Sequence, residues 1–509
     1  MPVKMKIAGL DIGTTGCKCT VFDDTGKELG RAYRDYSVRR SDGCHEIDAN
    51  VLMDSVYAVI SEMAGKYADI AGIGVTSFGE TFVMTDEDGT VLAPAMLYTD
   101  PRGAKECAFL TDRLGMEHIA GITGITPHEM YGLPKMMWRK HHDPDIYKKT
   151  RHILQMEDFV VFSLTGNAVI DYSLATRSMA FDIDALTWSR EIFDAADIDI
   201  GLMSQPVPTG SDAGPIKKSV ADRTGLPRDC RIIAMCQDQV AAAIGAGAFG
   251  PDVAVDGAGT VQCLTPVFDT RPDIKKLMPG KYVIVPYIIP GTYVTYAFTY
   301  TGGALVSWAT GSLARAEAAD AKDMGISVNE YLEKQYAQKC LQDGRDPEGP
   351  SGMLVLPHFA GAATPYMDTG SKGVIVGLTT DTEVSEIYRG CMEGVTYEMY
   401  LNYKNVAAAG AKIKKLHATG GGAHSETWMQ MKADVLDLPI VALNTVDAGT
   451  VGCAMMTGIA LGAFRDLDDA ADHMIETKRT YEPRREYHER YMEVFDRYRK
   501  LYDAVRPVM

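Results

Sequence analysis

Leu10-Asp11-Ile12-Gly13-Thr14-Thr15-Gly16 closes one short apolar run and opens another. Lys6 to Asp11 reads as a buried strand, Gly13 to Gly16 as a turn, and Cys17 to Phe22 as the returning strand. Asp23-Asp24-Thr25-Gly26 turns the chain again, into a third strand from Glu28 to Tyr36. A helix is predicted over 50–66, where Val51, Leu52, Val56, Val59, Ile60 and Met63 approximate one apolar face, and a strand over 70–76. Far downstream the opening pattern returns. Val253-Ala254-Val255-Asp256-Gly257-Ala258-Gly259-Thr260-Val261-Gln262-Cys263-Leu264 is again a strand, an Asp, a glycine-rich turn with Thr, and a strand.

This internal repeat predicts an α/β fold of two similar domains, 1–248 and 249–509, with a cleft between two glycine-rich turns. Around the junction, Ile232 to Cys236 reads as a strand and Gln239 to Gly247 as a small-residue helix able to pack closely. Later helices are expected over 384–409 and, charged and terminal, over 484–505.

The composition bounds what such a chain can do. Its 509 residues suffice for at least two domains, and 46% hydrophobic with 23% charged residues lies in the range of ordinary globular proteins. With 51 Lys and Arg against 68 Asp and Glu, the formal charge is -17, a field that repels polyanions. Nucleic acid is therefore not an expected partner. Ten scattered cysteines without a CxxC pair predict reduced thiols and a cytoplasmic protein. The start, Met1 to Lys6, lacks the apolar core of an export signal, and the lipophilic stretch 282–297 is broken by Pro286, Pro290 and Gly291, so no membrane span is expected.

Three segments carry candidate chemistry. The Asp11 to Gly16 turn offers backbone N–H groups, two hydroxyls and a carboxylate, a nest for phosphate oxygens with a hydrated Mg²⁺, and Lys18 adds a positive charge; a plain hairpin is the structural alternative. Asp238, at the end of an apolar strand and the start of a helix, suits a catalytic carboxylate in a cleft, or an N-cap. Ala418-Thr419-Gly420-Gly421-Gly422-Ala423-His424-Ser425 lets backbone approach a flat or anionic ligand ahead of a helix, while His424 reads as a surface histidine. Gly245-Ala246-Gly247-Ala248-Phe249-Gly250 fits the GxGxxG expression but ends a helix instead of linking strand to helix, so a dinucleotide dehydrogenase is disfavoured.

Together these motifs resemble the FGGY carbohydrate kinases, the sugar-kinase branch of the actin-like ATPases, over almost the whole chain. Leu10 to Gly16 is similar to the family's first phosphate motif and Asp256 to Thr260 to its second; Gly373 to Leu378, with Glu386-Ile387 and Glu393-Gly394-Val395, is similar to its carboxy-terminal signature. Lys135-Met136-Met137-Trp138 matches the core of the amino-terminal signature, with Gly132 where Pro, Ser or Thr is usual. The resemblance implies two actin-like, ribonuclease H-like domains: 1–248 for the sugar and 249–509 for the nucleotide. It also implies ATP and Mg²⁺ as cofactors, and it leaves room for a homodimer.

By position, Asp238 would be the base and Asp11 would position Mg²⁺. Gly13, Thr14, Thr15, Lys18, Gly259 and Thr260 would hold the phosphates, and Gly421, Gly422 and Ser425 the adenosine. The acceptor segments would be Gly79-Glu80, Tyr98, Asp100, Arg102 and Gln239. Glu80 and Asp238-Gln239 resemble glycerol kinases, with Gly79 in place of their arginine, whereas Tyr98 to Arg102 resembles the xylulokinase pattern. The implied reaction is phosphorylation of a pentulose such as xylulose. A glycerol-like polyol is the alternative acceptor, and a non-catalytic actin-like nucleotide switch is the alternative function.

Overall fold

The structure, a computed structural model, describes residues 5–41, 43–445 and 447–509. Met1 to Lys4, part of the segment read above for an export signal, lie outside the described residues.

The opening meander forms as the sequence predicts: β1 (Lys6–Ile12), β2 (Gly16–Asp23) and β3 (Glu28–Asp35) pair antiparallel in turn. Helix α1 (Ala49–Lys66), capped by the Asp48 side chain on Asn50 N, buries Leu52, Val56, Val59, Ile60 and Met63 and leads to β4 (Ile70–Ser77), which lies parallel to β1. Helix α2 (Met156–Thr165) and the short α3 (Tyr172–Thr176) precede β5 (Ser211–Pro215) and β6 (Arg231–Gln237). The first sheet has the order β3-β2-β1-β4-β6-β5.

After α4 (Asp238–Gly245) the pattern is laid down a second time. The second sheet is built from β7 (Val253–Ala258), β8 (Gln262–Thr265), β9 (Ala297–Thr299), β10 (Lys415–Thr419), β11 (Ile440–Leu443) and β12 (Thr477–Tyr481), in the order β9-β8-β7-β10-β11-β12. In both sheets an antiparallel meander of three is followed by two strands parallel to the first and an antiparallel edge strand. The repeat read from two hairpins is thus a repeat of whole sheets. One difference remains: the edge strand β5 precedes its neighbour in the chain, whereas β12 follows its own.

Helices α5 (Val328–Gln342), α6 (Val384–Ala408), α7 (Glu426–Leu436), α8 (Ala448–Ala460), α9 (Arg485–Tyr498) and α10 (Leu501–Val505) complete the layers. The terminal helix expected as one piece is two, interrupted at Arg499 and Lys500. No described helix is long and apolar enough to cross a membrane. All ten cysteines are free thiols, nine of them buried.

Helices α4 and α8 cross at backbone contact, and this crossing joins the two halves. A Cβ on Gly452 would collide with the Ala241 carbonyl oxygen and stand 2.9 Å from the Gly245 nitrogen. A Cβ on Gly245 would likewise collide with the Ala448 carbonyl and stand 2.7 Å from the Gly452 nitrogen. No rotamer can relieve such a clash with main chain.

Gly452→Ala is therefore expected to cost about 1–3 kcal/mol or more, the range for overpacking. Gly250→Ala, whose Cβ would meet nothing within 4 Å, should shift stability by less than about 0.5 kcal/mol. Urea or thermal unfolding of the two variants checks this; equal stability of both would contradict the crossing.

Candidate active site

The crossing brings three helix or strand ends to one place. Asp238 is the first residue of α4, and the helix is capped not by Asp238 but by Gln237, whose Oε1 accepts from Gln239 N at 3.0 Å. Freed from capping, the Asp238 carboxylate takes a hydrogen bond from Gln237 Nε2 and stays partly open to the cleft. The strand end beneath is pinned: Ser173 Oγ accepts from Gln237 N at 2.9 Å and itself donates to Asp171 at 2.6 Å, while Thr76 Oγ1 donates to the Cys236 carbonyl at 2.5 Å. Burial, with the negative charges of Asp11 and Glu80 nearby, pushes Asp238 up to about 7.

Asp11 sits opposite Lys18 in the β1–β2 ladder. Lys18 Nζ lies 3.0 Å from Asp11 Oδ2 and 3.0 Å from Asp447 Oδ1. Asp447 is the N-cap of α8, accepting from Thr450 N at 3.4 Å, so the helix that crosses α4 also delivers a carboxylate to the first phosphate-type turn. Burial raises Asp11 despite Lys18, while burial opposes the charge on Lys18 and the two carboxylates outweigh it, raising it. In the turns themselves Gly13, Thr14 and Gly259 are half-buried, and Thr15 and Thr260 are exposed.

The second hairpin is not an electrostatic copy of the first. Asp256 is fully buried and paired with Lys432 Nζ at 2.7 and 3.0 Å, with Gln262 completing the cluster. It braces the hairpin from inside and presents no carboxylate to the cleft.

The acceptor segments also differ from their expected state. Glu80, in left-handed backbone at φ 64°, is buried, and its Oε1 takes both Arg177 Nε, at 2.5 Å, and Arg177 Nη2. Gly79 is what makes room for this: a Cβ there would stand 2.9 Å from Arg177 Cγ. Asp100 is spent within the protein, bonded by Arg102 Nε at 2.8 Å, Arg102 Nη2 at 2.6 Å, Arg102 N and His45 N. Arg102 continues to Glu46 Oε1 at 2.6 Å and stacks on Trp138, 4.9 Å from the ring centre. Asp100 and Arg102 thus form a strut under the site, with the Asp100 carboxylate occupied by four hydrogen bonds from within the protein. Tyr98 is half-buried, and burial, Glu80 and Asp238 together raise its phenol, which places it with those two carboxylates. Lys135 is fully buried with Nζ on the Met130 carbonyl at 2.7 Å, and burial lowers it to about 8 against the pull of Glu80 and Asp100.

At the third motif, β10 runs into a 3₁₀ turn over Gly421–His424, and Ser425 caps α7 by accepting from Trp428 N at 3.2 Å. Ser425 Oγ and Thr427 Oγ1 also donate to Glu333 of α5, at 3.3 and 2.9 Å. A Cβ on Gly421 would meet nothing within 4 Å, Gly422 is half-buried and His424 is exposed. A hollow of about 480 Å³ shares Glu333 with this motif and is lined also by Tyr336, Tyr388, Arg389, Gln430 and Arg484.

Sequence reading missed Asp447, Arg177 and Tyr296 as members of this region. Only Asp447 carried a local signal, an Asp heading a small-residue helix at Ala448-Gly449-Thr450. Arg177 and Tyr296 arrive by tertiary packing alone.

Comparison with known proteins places this geometry. The chain matches the N-terminal domain of the FGGY family of carbohydrate kinases over residues 6–245 and its C-terminal domain over 259–461. It is 25% identical to a xylulose kinase of Bacillus subtilis over 501 residues, 97% of this chain and 96% of that one. It is 28% identical to a glycerol kinase of Halorhodospira halophila over 523 residues, 99% and 96% of the two chains. The solved structure of a gluconate kinase from Lactobacillus acidophilus superimposes with a TM-score of 0.87 at 23% identity, covering 99% of this chain and 98% of that one. With both halves matched in order, and with a strand-end aspartate between two glycine-rich hairpins, the chain belongs to the FGGY family of carbohydrate kinases.

Proposed function

We propose that this kinase transfers the γ-phosphoryl group of ATP to a hydroxyl of a neutral ketose, xylulose being the leading candidate, in the cytoplasm and in the cleft between domains 1–248 and 249–509. The observation that carries this reading is Asp238: a carboxylate at the head of a helix, partly open to the cleft, which burial and the nearby charges of Asp11 and Glu80 push up to about 7. A base at that value can take a hydroxyl proton at neutral pH and give it up afterwards.

The nucleotide fits the residues around it. Gly421 faces open space, and with Gly422 and Ser425 it would take the adenosine. Gly13, Thr14, Thr15 and Lys18 on one hairpin, and Gly259 and Thr260 on the other, would hold the phosphates. The hard oxygens of Asp11 suit Mg²⁺, which is usually held by one or two carboxylates plus water and phosphate, and among the described residues there is no cluster of three or more His, Cys, Asp or Glu forming a dedicated cage. When bound, ATP with its metal supplies an activated phosphoryl group whose loose transition state is catalysed by positioning and charge. The chain's own part is to hold the acceptor against Asp238, to take its proton there, and to keep water out as the halves close.

A neutral acceptor is favoured over a sugar acid because the cations are already used. Arg177 is on Glu80, Arg102 on Asp100 and Glu46, and Lys18 on Asp11 and Asp447. An acceptor carboxylate would add a negative charge among Asp238, Glu80 and Asp11, where each of these cations already has a carboxylate to neutralise it. Glu80, Tyr98 and Gln239 would contact the acceptor's hydroxyls; a glycerol-like polyol is the second reading, supported by Glu80 and by the Halorhodospira halophila relative.

Asp238→Asn should cut turnover by about 10²–10⁴ with little change in ATP affinity. In the wild type kcat/KM should fall about tenfold per pH unit below about pH 7, and this limb should vanish in the variant; near-wild-type turnover would remove Asp238 from the chemistry.

The same shift has a stability sign. Since the folded value lies above the ordinary 3.8, the protonated form favours folding, and that contribution is lost as pH rises toward and through about 7. Asp238→Asn should therefore melt at or above wild type at pH 8 and converge with it at pH 4; a lower melting point at pH 8 would show an ionised Asp238 that stabilises the fold.

Gly421→Val, which has room for its side chain in the protein alone, should fold and raise the ATP KM by roughly tenfold while moving the acceptor KM by less than about twofold. Calorimetric ATP titration of the folded variant decides: undiminished affinity would take Gly421 out of the nucleotide site.

A further inference from the structure

Two buried donors that interact electrostatically with Asp238 have no hydrogen-bond partner. Arg177 spends Nε and Nη2 on Glu80 Oε1, and its Nη1 is buried with no hydrogen bond. Tyr296 Oη is likewise buried and unpaired. Arg177 Cζ lies 5.8 Å from the centre of the Tyr296 ring and 5.2 Å from that of Tyr131. Arg177 follows α3 on the side of the first sheet, whereas Tyr296 leads into β9 of the second, so the two donors come from opposite halves. Both interact electrostatically with Asp238. Native proteins leave few buried donors unsatisfied, because each forfeits its bonds to water without replacement. Two of them packed against each other, in the field of the candidate base, leave donors that an oxygen of a ligand would satisfy.

We propose that Arg177 Nη1 and Tyr296 Oη form a donor pair that reads the carbonyl oxygen of the acceptor, so that this kinase selects a 2-ketose over the polyol of the same carbon skeleton. The inference rests on the reading of the Asp238 cleft as the acceptor site and goes further by naming what distinguishes its acceptor. A carbonyl oxygen accepts two hydrogen bonds and brings no proton. A hydroxyl in the same place brings a proton that a guanidinium cannot accept and that Tyr296 Oη accepts only by turning its own proton away, so one of the two donations is lost. The remaining groups have the opposite sense: among the described residues no donor is bonded to Glu80 Oε2, and Asp238 also accepts, which suits hydroxyls on the flanking carbons. One carbonyl among hydroxyls is the pattern of a ketose. Gly79 is part of the device, since any side chain there would press on Arg177 Cγ.

The test is steady-state kinetics of wild type, Tyr296→Phe and Arg177→Lys with xylulose, xylitol and gluconate, with melting curves to show that the variants fold. The wild type should have a ketose-to-polyol ratio of kcat/KM of roughly 10² or more, the scale for a site built around a specific hydrogen bond. Tyr296→Phe removes one oxygen and keeps the ring, and should lower that ratio about tenfold with no loss of melting temperature; Arg177→Lys, which keeps the charge and loses the fork, should lower it as well. A wild-type ratio near one, or an unchanged ratio in folded Tyr296→Phe, overturns the donor pair while leaving the kinase reading intact. A folded, ATP-binding wild type inert toward all three acceptors overturns the acceptor reading and this inference with it.

Discussion

Two glycines in contact hold the site together. Because Gly245 and Gly452 lack side chains, α4 and α8 cross at main-chain distance, the start of α8 at Ala448 against the end of α4 at Gly245, and a Cβ on Gly449 would stand 3.4 Å from Asp11 Oδ2. Asp238 heads one helix and Asp447 caps the other, while Asp11 stands at the end of β1 against Lys18.

The field of these carboxylates explains the chemistry available. Carboxylates gathered at low exposure repel one another's ionisation. The structure resolves the conflict unevenly: Asp11 and Asp447 share Lys18, Glu80 takes Arg177, Asp100 takes Arg102, and Asp238 is left with an amide from Gln237. Of these five acids Asp238 is the one without a cation bonded to it, and it is poised to exchange a proton near neutrality. The buried Asp256–Lys432 pair shows the same economy in the second hairpin, where charge is neutralised internally and the turn above is left to backbone N–H groups and a threonine.

Much of this was legible locally. Strand, turn and strand at Lys6 to Phe22 and again at Val253 to Leu264 follow from apolar runs broken by glycine-rich turns, and they fixed the two-sheet plan that both family matches cover. Asp238 was visible as a carboxylate between an apolar strand and a small-residue helix, although its neighbour Gln237 turned out to be the cap. What was not legible depends on contacts between distant segments. The Arg102–Asp100 ion pair is an alternative that the sequence itself offers, but sequence does not show that Arg102 reaches on to Glu46, or that Arg177 folds onto Glu80 over a glycine. Nor does it show that Tyr296 from one half meets Arg177 from the other. Those contacts, more than the motifs, separate one acceptor from another in a family whose hairpins are shared.

The claim on which the account turns is that Asp238 carries a proton near neutral pH because of its burial and its carboxylate neighbours, and its vibrational signature reports this directly. Infrared difference spectra between wild type and Asp238→Asn, recorded across a pH titration, isolate the carboxyl stretch of that one residue. The account predicts a protonated-carboxyl band that disappears with a midpoint at about 7. A band already gone at pH 5, as for an aspartate titrating at its ordinary 3.8, would contradict it.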